Sequence, residues 1–131
     1  LAIAPLALLR PAEAAPKDGS IAFDPADVAA RRAAGEPVFI DFTAAWCVTC
    51  QVNKLTVLSS PRVKAAFAAN GVVFVVADWT NRDPEIEQAL ASFGANGVPL
   101  YVFYPPGGEA QILPQPLTER SVISVIEGSR R

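Results

Sequence analysis

Both cysteines of this 131-residue chain lie in one short stretch, AAWCVTCQ at residues 44 to 51, where Cys47 and Cys50 flank Val48-Thr49. On a helix, residues three apart share a face and their Cβ atoms approach closely enough to bridge. The pair can therefore switch between disulfide and dithiol with little backbone movement. If the helix begins at Cys47, its unpaired N–H groups and the positive end of its dipole favour a thiolate there. Cys47 is then the nucleophile. Cys50, one turn further along, is expected to be the more buried thiol and to resolve a mixed disulfide by attacking it.

A structural staple is the competing use of two such cysteines. Chain entropy assigns a four-residue loop about 1.9 kcal/mol, against about 3 kcal/mol for fifteen residues, so this spacing staples poorly. The chain has no histidine, which excludes Cys-His and Ser-His-Asp nucleophile arrangements and zinc sites that mix thiolate with imidazole. Two cysteines cannot supply the four thiolates of an all-cysteine zinc or iron–sulfur site. Copper(I) suits soft thiolates, but there is neither histidine nor methionine to complete its ligand set. The expectation is redox chemistry with no metal and no organic cofactor, the Cys47–Cys50 disulfide itself being the redox group. A formal charge of -2, with no run of Lys or Arg, gives no electrostatic footprint for nucleic acid.

The elements that must position this pair follow from local patterns. With 131 residues and 51% hydrophobic composition, the chain supports one domain with a single sizeable core. Residues 20–131 are expected to form it, in an α/β arrangement of short apolar strands alternating with amphipathic helices. Ile21 to Phe23 reads as a short strand. Asp24-Pro25 caps a helix running to about Ala34 and stopped at Gly35. PVFIDFT (37 to 43) is apolar without clean alternation, as suits a central strand buried on both faces. A helix is predicted from the cysteines to about Leu58, then a fresh segment from Pro61 to the Asn70-Gly71 pair. VVFVVAD (72 to 78) is a second buried strand. Asp83-Pro84 opens a helix to about Phe93, closed by Gly94. PLYVFY (99 to 104) and roughly EAQIL (109 to 113) read as a hairpin about PPGG, and Thr118 to Glu127 as a closing helix.

Residues 1–19 read as a linker or the remnant of an upstream membrane helix: an apolar run at 1–9, too short to span a bilayer, followed by a linker at 10–19. Because the chain contains no methionine, it looks like an excised fragment. The apolar run is the remnant of a longer membrane helix, an unstructured leader, or, ranked below these, the end of a signal peptide.

Asp41 lies within the apolar strand, six positions before Cys47. Buried there, its carboxyl would have a raised pKa and could exchange a proton with the resolving thiol. The alternative is a strand-end aspartate turned to water. Trp46 reads as an amphipathic wall of the site, and Trp79 as either core or surface.

VFIDFTAAWCVTCQ resembles the thioredoxin superfamily, in which an apolar strand ending in Asp-Phe leads to Trp-Cys-x-x-Cys. The likeness runs from about Phe23 to Glu127 and includes Gly97-Val98-Pro99 before a hairpin. It implies a thioredoxin fold, a central mixed β-sheet flanked by helices. It also implies that Pro99 is a cis proline beside the cysteines, that Val98 pairs its backbone with a substrate, and that Asp41 carries the proton. By the residues alone, Pro99 could equally open an edge strand. Val48-Thr49 is neither the Gly-Pro of thioredoxins nor the Pro-His of DsbA-type oxidases. WCVTCQVNK, ADWTNRDPEI and GVPLYVFY are together most similar to the C-terminal domain of DsbD-like transmembrane thiol:disulfide interchange proteins.

That resemblance implies a periplasmic reductant domain tethered to the bacterial inner membrane. It would take electrons from a membrane-embedded partner in the same longer chain and pass them to other thiol/disulfide proteins through transient mixed disulfides. Gln51 and Lys54 depart from the basic and acidic residues that such domains often carry there. Two other readings remain: a free-standing thioredoxin-like reductase for cytochrome c maturation, and a non-catalytic binding module with an inert disulfide.

Overall fold

Three helices begin with a capping side chain followed at once by proline. Asp24 accepts from the Ala26 and Asp27 N–H groups and starts α1, Pro25–Ala33. Ser60 accepts from Val63 N–H ahead of α3, Pro61–Ala69, and Asp83 from Glu85 and Ile86 N–H ahead of α4, Pro84–Ser92. Each cap satisfies donors that have no intrahelical acceptor, and proline fills a position whose N–H would be unpaired anyway. The structure, a computed structural model, describes residues 19–128. The apolar run at 1–9 and all but the last residue of the expected linker lie outside those residues.

The strands are β1, Ile21–Ala22; β2, Val38–Thr43; β3, Val73–Asp78; β4, Leu100–Tyr104; and β5, Gln111–Ile112. They form one mixed sheet in the order β1-β3-β2-β4-β5. β1, β3 and β2 run parallel, whereas β4 is antiparallel to β2 and β5 to β4. This is the mixed, helix-covered sheet that the sequence implies.

β2 lies at the centre and is covered on both sides, which accounts for its lack of alternation. Val38, Ile40 and Phe42 pack in one cluster with Val28 of α1 and with Ile86 and Leu90 of α4. Phe39, on the other face, packs with Val57, Leu58 and Val63, and with Val122 and Ile126 of α5, Glu119–Gly128. Trp79, which local pattern left open between core and surface, joins the first cluster and is buried.

The helix after the cysteines departs from expectation. A regular segment, α2, covers only Val48–Asn53, and a π-helical turn follows over Lys54–Leu58. Ser59 Oγ donates to the Lys54 carbonyl oxygen at 2.6 Å, and Thr56 Oγ1 to that of Val52 at 2.8 Å. The wider turn brings the adjacent Val57 and Leu58 into the core together. β5 is also shorter than predicted, although Leu113 N–H still donates to Tyr101 O at 3.0 Å.

Candidate active site

The loop that carries the cysteines is held from both sides. Cys47 N–H closes a turn onto Ala44 O at 3.1 Å, and Gln51 Nε2 donates to the same carbonyl at 3.0 Å. Thr80 comes from the segment just after β3, the neighbouring parallel strand. Its hydroxyl oxygen accepts from Ala45 N–H at 2.8 Å and itself donates to the Asp78 carboxylate. Trp46 Nε1 donates to Thr80 O at 3.0 Å. Parallel neighbours deliver their C-terminal ends to the same edge, so residues 35 positions apart meet there. Thr80 was not among the sequence candidates. Its available signal was its position two residues beyond the second parallel strand.

Cys47 is the N-cap of α2, and its Sγ accepts the Cys50 N–H at 3.1 Å. The two cysteines are joined as a disulfide with Cα atoms 5.2 Å apart. Both are buried, Cys50 at 2% exposed and Cys47 at 8%. On reduction, the helix N–H already aimed at Cys47 Sγ stabilises negative charge at that sulfur.

Val98 packs against the cluster of Ala44, Cys47 and Cys50. The Val98–Pro99 peptide bond is cis, as is Gln115–Pro116, which nothing in the local sequence indicated. Trp46 is half exposed and lies against buried Trp79, with ring centroids 5.8 Å apart. The Arg82 guanidinium stands 4.4 Å from the Trp79 ring centroid and 5.3 Å from that of Trp46. Arg82 adopts a left-handed backbone (φ 56°), an uncommon conformation for a residue other than glycine.

Asp41 is buried, so the sequence alternative of an aspartate turned to water does not apply. It pairs in register with Tyr101 of β4 and shares that residue's face of the sheet, the face covered by α2. Tyr101 is fully buried, and its hydroxyl oxygen accepts from Asn53 Nδ2 at 3.0 Å. Burial pushes the Tyr101 phenol up to about 12. The Asn53 hydrogen bond opposes this, and the nearby Asp41 charge adds to it. Asp41 and Tyr101 on the sheet thus lie beneath the helix that carries Cys50, and Asn53 of that helix reaches down to Tyr101. Asn53 and Tyr101 were missed from sequence, although Asn53 follows Cys50 by one helical turn.

Among the described residues, no group of three or more His, Cys, Asp and Glu side chains is placed to hold a metal ion. None of the described helices is long and apolar enough to cross a membrane. The arrangement is suited to thiol–disulfide exchange: a cysteine that caps a helix start, its bridged partner one turn in, and a loop carrying a cis proline beside them.

Such a sheet, carrying a Cys-x-x-Cys disulfide at the head of a helix, defines a thioredoxin-fold thiol:disulfide oxidoreductase domain. More particularly, the chain belongs to the Thioredoxin-like family, whose sequence profile matches residues 22–106. Among individual proteins, it is 34% identical to the thiol:disulfide interchange protein DsbD 1 of Pseudomonas aeruginosa over 84 residues, 64% of this chain and 14% of that protein. It is 36% identical to DsbD of Ralstonia nicotianae over 77 residues, 59% of this chain and 12% of that protein. The chain therefore spans only a small part of either relative. Among solved structures, the oxidised DsbD C-terminal domain of Neisseria meningitidis superposes with a TM-score of 0.67 at 26% identity. That superposition covers 85% of this chain and 99% of the other.

Proposed function

We propose that this domain is a reductant that relays two electrons from a membrane-embedded dithiol to thiol/disulfide proteins of the periplasm, tethered to the inner membrane through a longer chain. The observation that carries the reading is the Cys50 N–H held on Cys47 Sγ at the start of α2, in a chain similar to DsbD over most of its folded part.

In the reduced domain, the Cys47 thiolate attacks a partner disulfide. One partner sulfur leaves as a thiolate, and a mixed disulfide joins Cys47 to the other. Cys50, deprotonated by Asp41, then attacks Cys47 Sγ and expels the second partner sulfur. The domain is left as the Cys47–Cys50 disulfide and the partner as a dithiol, with two electrons and two protons transferred. Renewed exchange with the donor dithiol resets the pair, so no metal or organic cofactor takes part. Val98 offers its backbone to the incoming segment, Pro99 holds the loop against the sulfurs, and Trp46 walls the site.

Replacing Cys47 by serine should abolish exchange, whereas Cys50→Ser should accumulate a covalent adduct with a disulfide-bonded protein substrate such as insulin, visible on non-reducing gels. Absence of that adduct, with Cys47 alkylated no faster than an ordinary thiol, overturns the nucleophile assignment. Equilibration with glutathione should place the potential of the pair below about -200 mV, nearer thioredoxin than DsbA. A value near about -120 mV would mark an oxidant and reverse the direction of flow.

A further inference from the structure

Exposed apolar side chains are ordinary when scattered and informative when they gather. Five large apolar side chains are exposed among the described residues, and four of them, Trp46, Val48, Val52 and Leu55, fall within ten consecutive positions. Val48, Val52 and Leu55 are 77%, 49% and 74% exposed. Their spacing of four and three places them in one stripe along the outer side of α2 and the π turn. The inner side is already occupied, by Cys50, Val57 and Leu58 and by Asn53 on its hydrogen bond to Tyr101. The helix therefore does not need the stripe to fold.

Two features of the stripe indicate what covers it. It begins at the residue after Cys47, so any protein whose cysteine reaches Cys47 lies over its near end. Lys54 is the single charged residue between positions 44 and 59. A helix that rests on a lipid surface carries a Lys/Arg-rich polar face, which this segment lacks.

We propose that Val48, Val52 and Leu55 form a docking strip for the thiol/disulfide partner, selecting a protein segment with apolar side chains beside its reactive cysteine. The proposal rests on the exchange reading above and adds a determinant of partner choice to it. The strip is about 10 Å long, two turns of helix, and matches three to four residues of an extended partner segment. Burial of Val52 and Leu55 speeds docking and leaves the sulfur chemistry to Cys47 and Cys50.

Two synthetic peptides test this, each with one cysteine held as a thionitrobenzoate mixed disulfide. One places Leu and Val within four residues of the cysteine, and the other places Gln and Ser there. Rates with reduced protein are measured by release of thionitrobenzoate and divided by the rate with dithiobis(nitrobenzoate), which has no flanking chain. The native protein should prefer the apolar peptide about tenfold, or about 1.4 kcal/mol. Val52→Gln/Leu55→Gln should bring that preference close to one, with each single substitution intermediate and the thermal midpoint reporting that the fold is kept.

A preference that persists in the double variant, or that is absent from the native protein, overturns the strip. So does binding of the native protein to neutral lipid vesicles, or its dimerisation in sedimentation, if the double variant abolishes it, because lipid or a second copy is then the occupant. Failure to react with all three probes overturns the exchange reading and the strip with it, a pattern distinct from loss of preference alone.

Discussion

Asn53 and Tyr101 are 48 positions apart and make a buried hydrogen bond under the helix that carries Cys50. A buried donor or acceptor left alone costs about 1–3 kcal/mol, whereas replacing both partners by apolar groups is close to neutral. Tyr101→Phe should therefore lower unfolding free energy in urea by about 1–3 kcal/mol at neutral pH, and adding Asn53→Leu should recover part of the loss. The pH dependence has a definite sign. The folded phenol titrates at about 12, above its ordinary value of 10.0. Its neutral form is thus favoured by folding, and that contribution is complete below pH 10 and lost as pH rises towards 12. The native protein should lose on the order of 2 kcal/mol more than Tyr101→Phe across that interval. Equal slopes for the two proteins would refute a buried, neutral phenol. The Cys47–Cys50 pairing and the burial of Asp41 could be read from sequence because unusual types stand at informative spacings. Asn53 and Tyr101 are common types whose meaning arises only when α2 is laid on β4.

Among the elements, the helix starts were read correctly because a cap is decided by residues within three positions of it. Asp83 is a clean test, since its carboxylate accepts two N–H groups at the start of α4. Asp83→Ala should cost about 1 kcal/mol in urea unfolding, and Asp83→Asn only a few tenths. A loss as large for asparagine as for alanine would show that charge rather than capping dominates. The π turn at Lys54–Leu58 was read as plain helix. Residues 54 to 58 favour helix of either kind, and the choice depends on Ser59 reaching the Lys54 carbonyl and on the core accepting Val57 and Leu58 together. β5 was overestimated for a related reason. β-propensity continues through Leu113, but the ladder with β4 covers only Gln111 and Ile112.

For the whole molecule, the question is what the disulfide does to stability. It closes a loop of four residues, so its entropic contribution is limited to about 1.9 kcal/mol. Reduction should therefore lower unfolding free energy by no more than about 2 kcal/mol, measured in urea with and without dithiothreitol at constant pH. A loss well above that would return the pair to a structural role. The two apolar layers on either face of the sheet account for this tolerance. Each is assembled from helices and strands far apart in the chain, and neither depends on the Cys47–Cys50 link. The domain can thus be oxidised and reduced while its core stays in place.

The sequence by itself determined which reactive side chains this domain carries and how they are spaced. The spacing of Cys47 and Cys50, the absence of histidine and the apolar strand leading to the pair are local or compositional facts, and the exclusions they support need no coordinates. Caps, proline positions and apolar runs likewise marked most element boundaries, because backbone hydrogen bonding responds to residues a few positions away. Tertiary structure alone decided which strand end meets the cysteine loop, and so brought Thr80 to Ala45 and Trp46. It alone put Trp79 inside, joined Asn53 to Tyr101, and left Val52 and Leu55 facing solvent along the outer side of α2 and the π turn. Those outcomes depend on strand order and on the packing of helices over a shared sheet, where the partners of each residue lie tens of positions away.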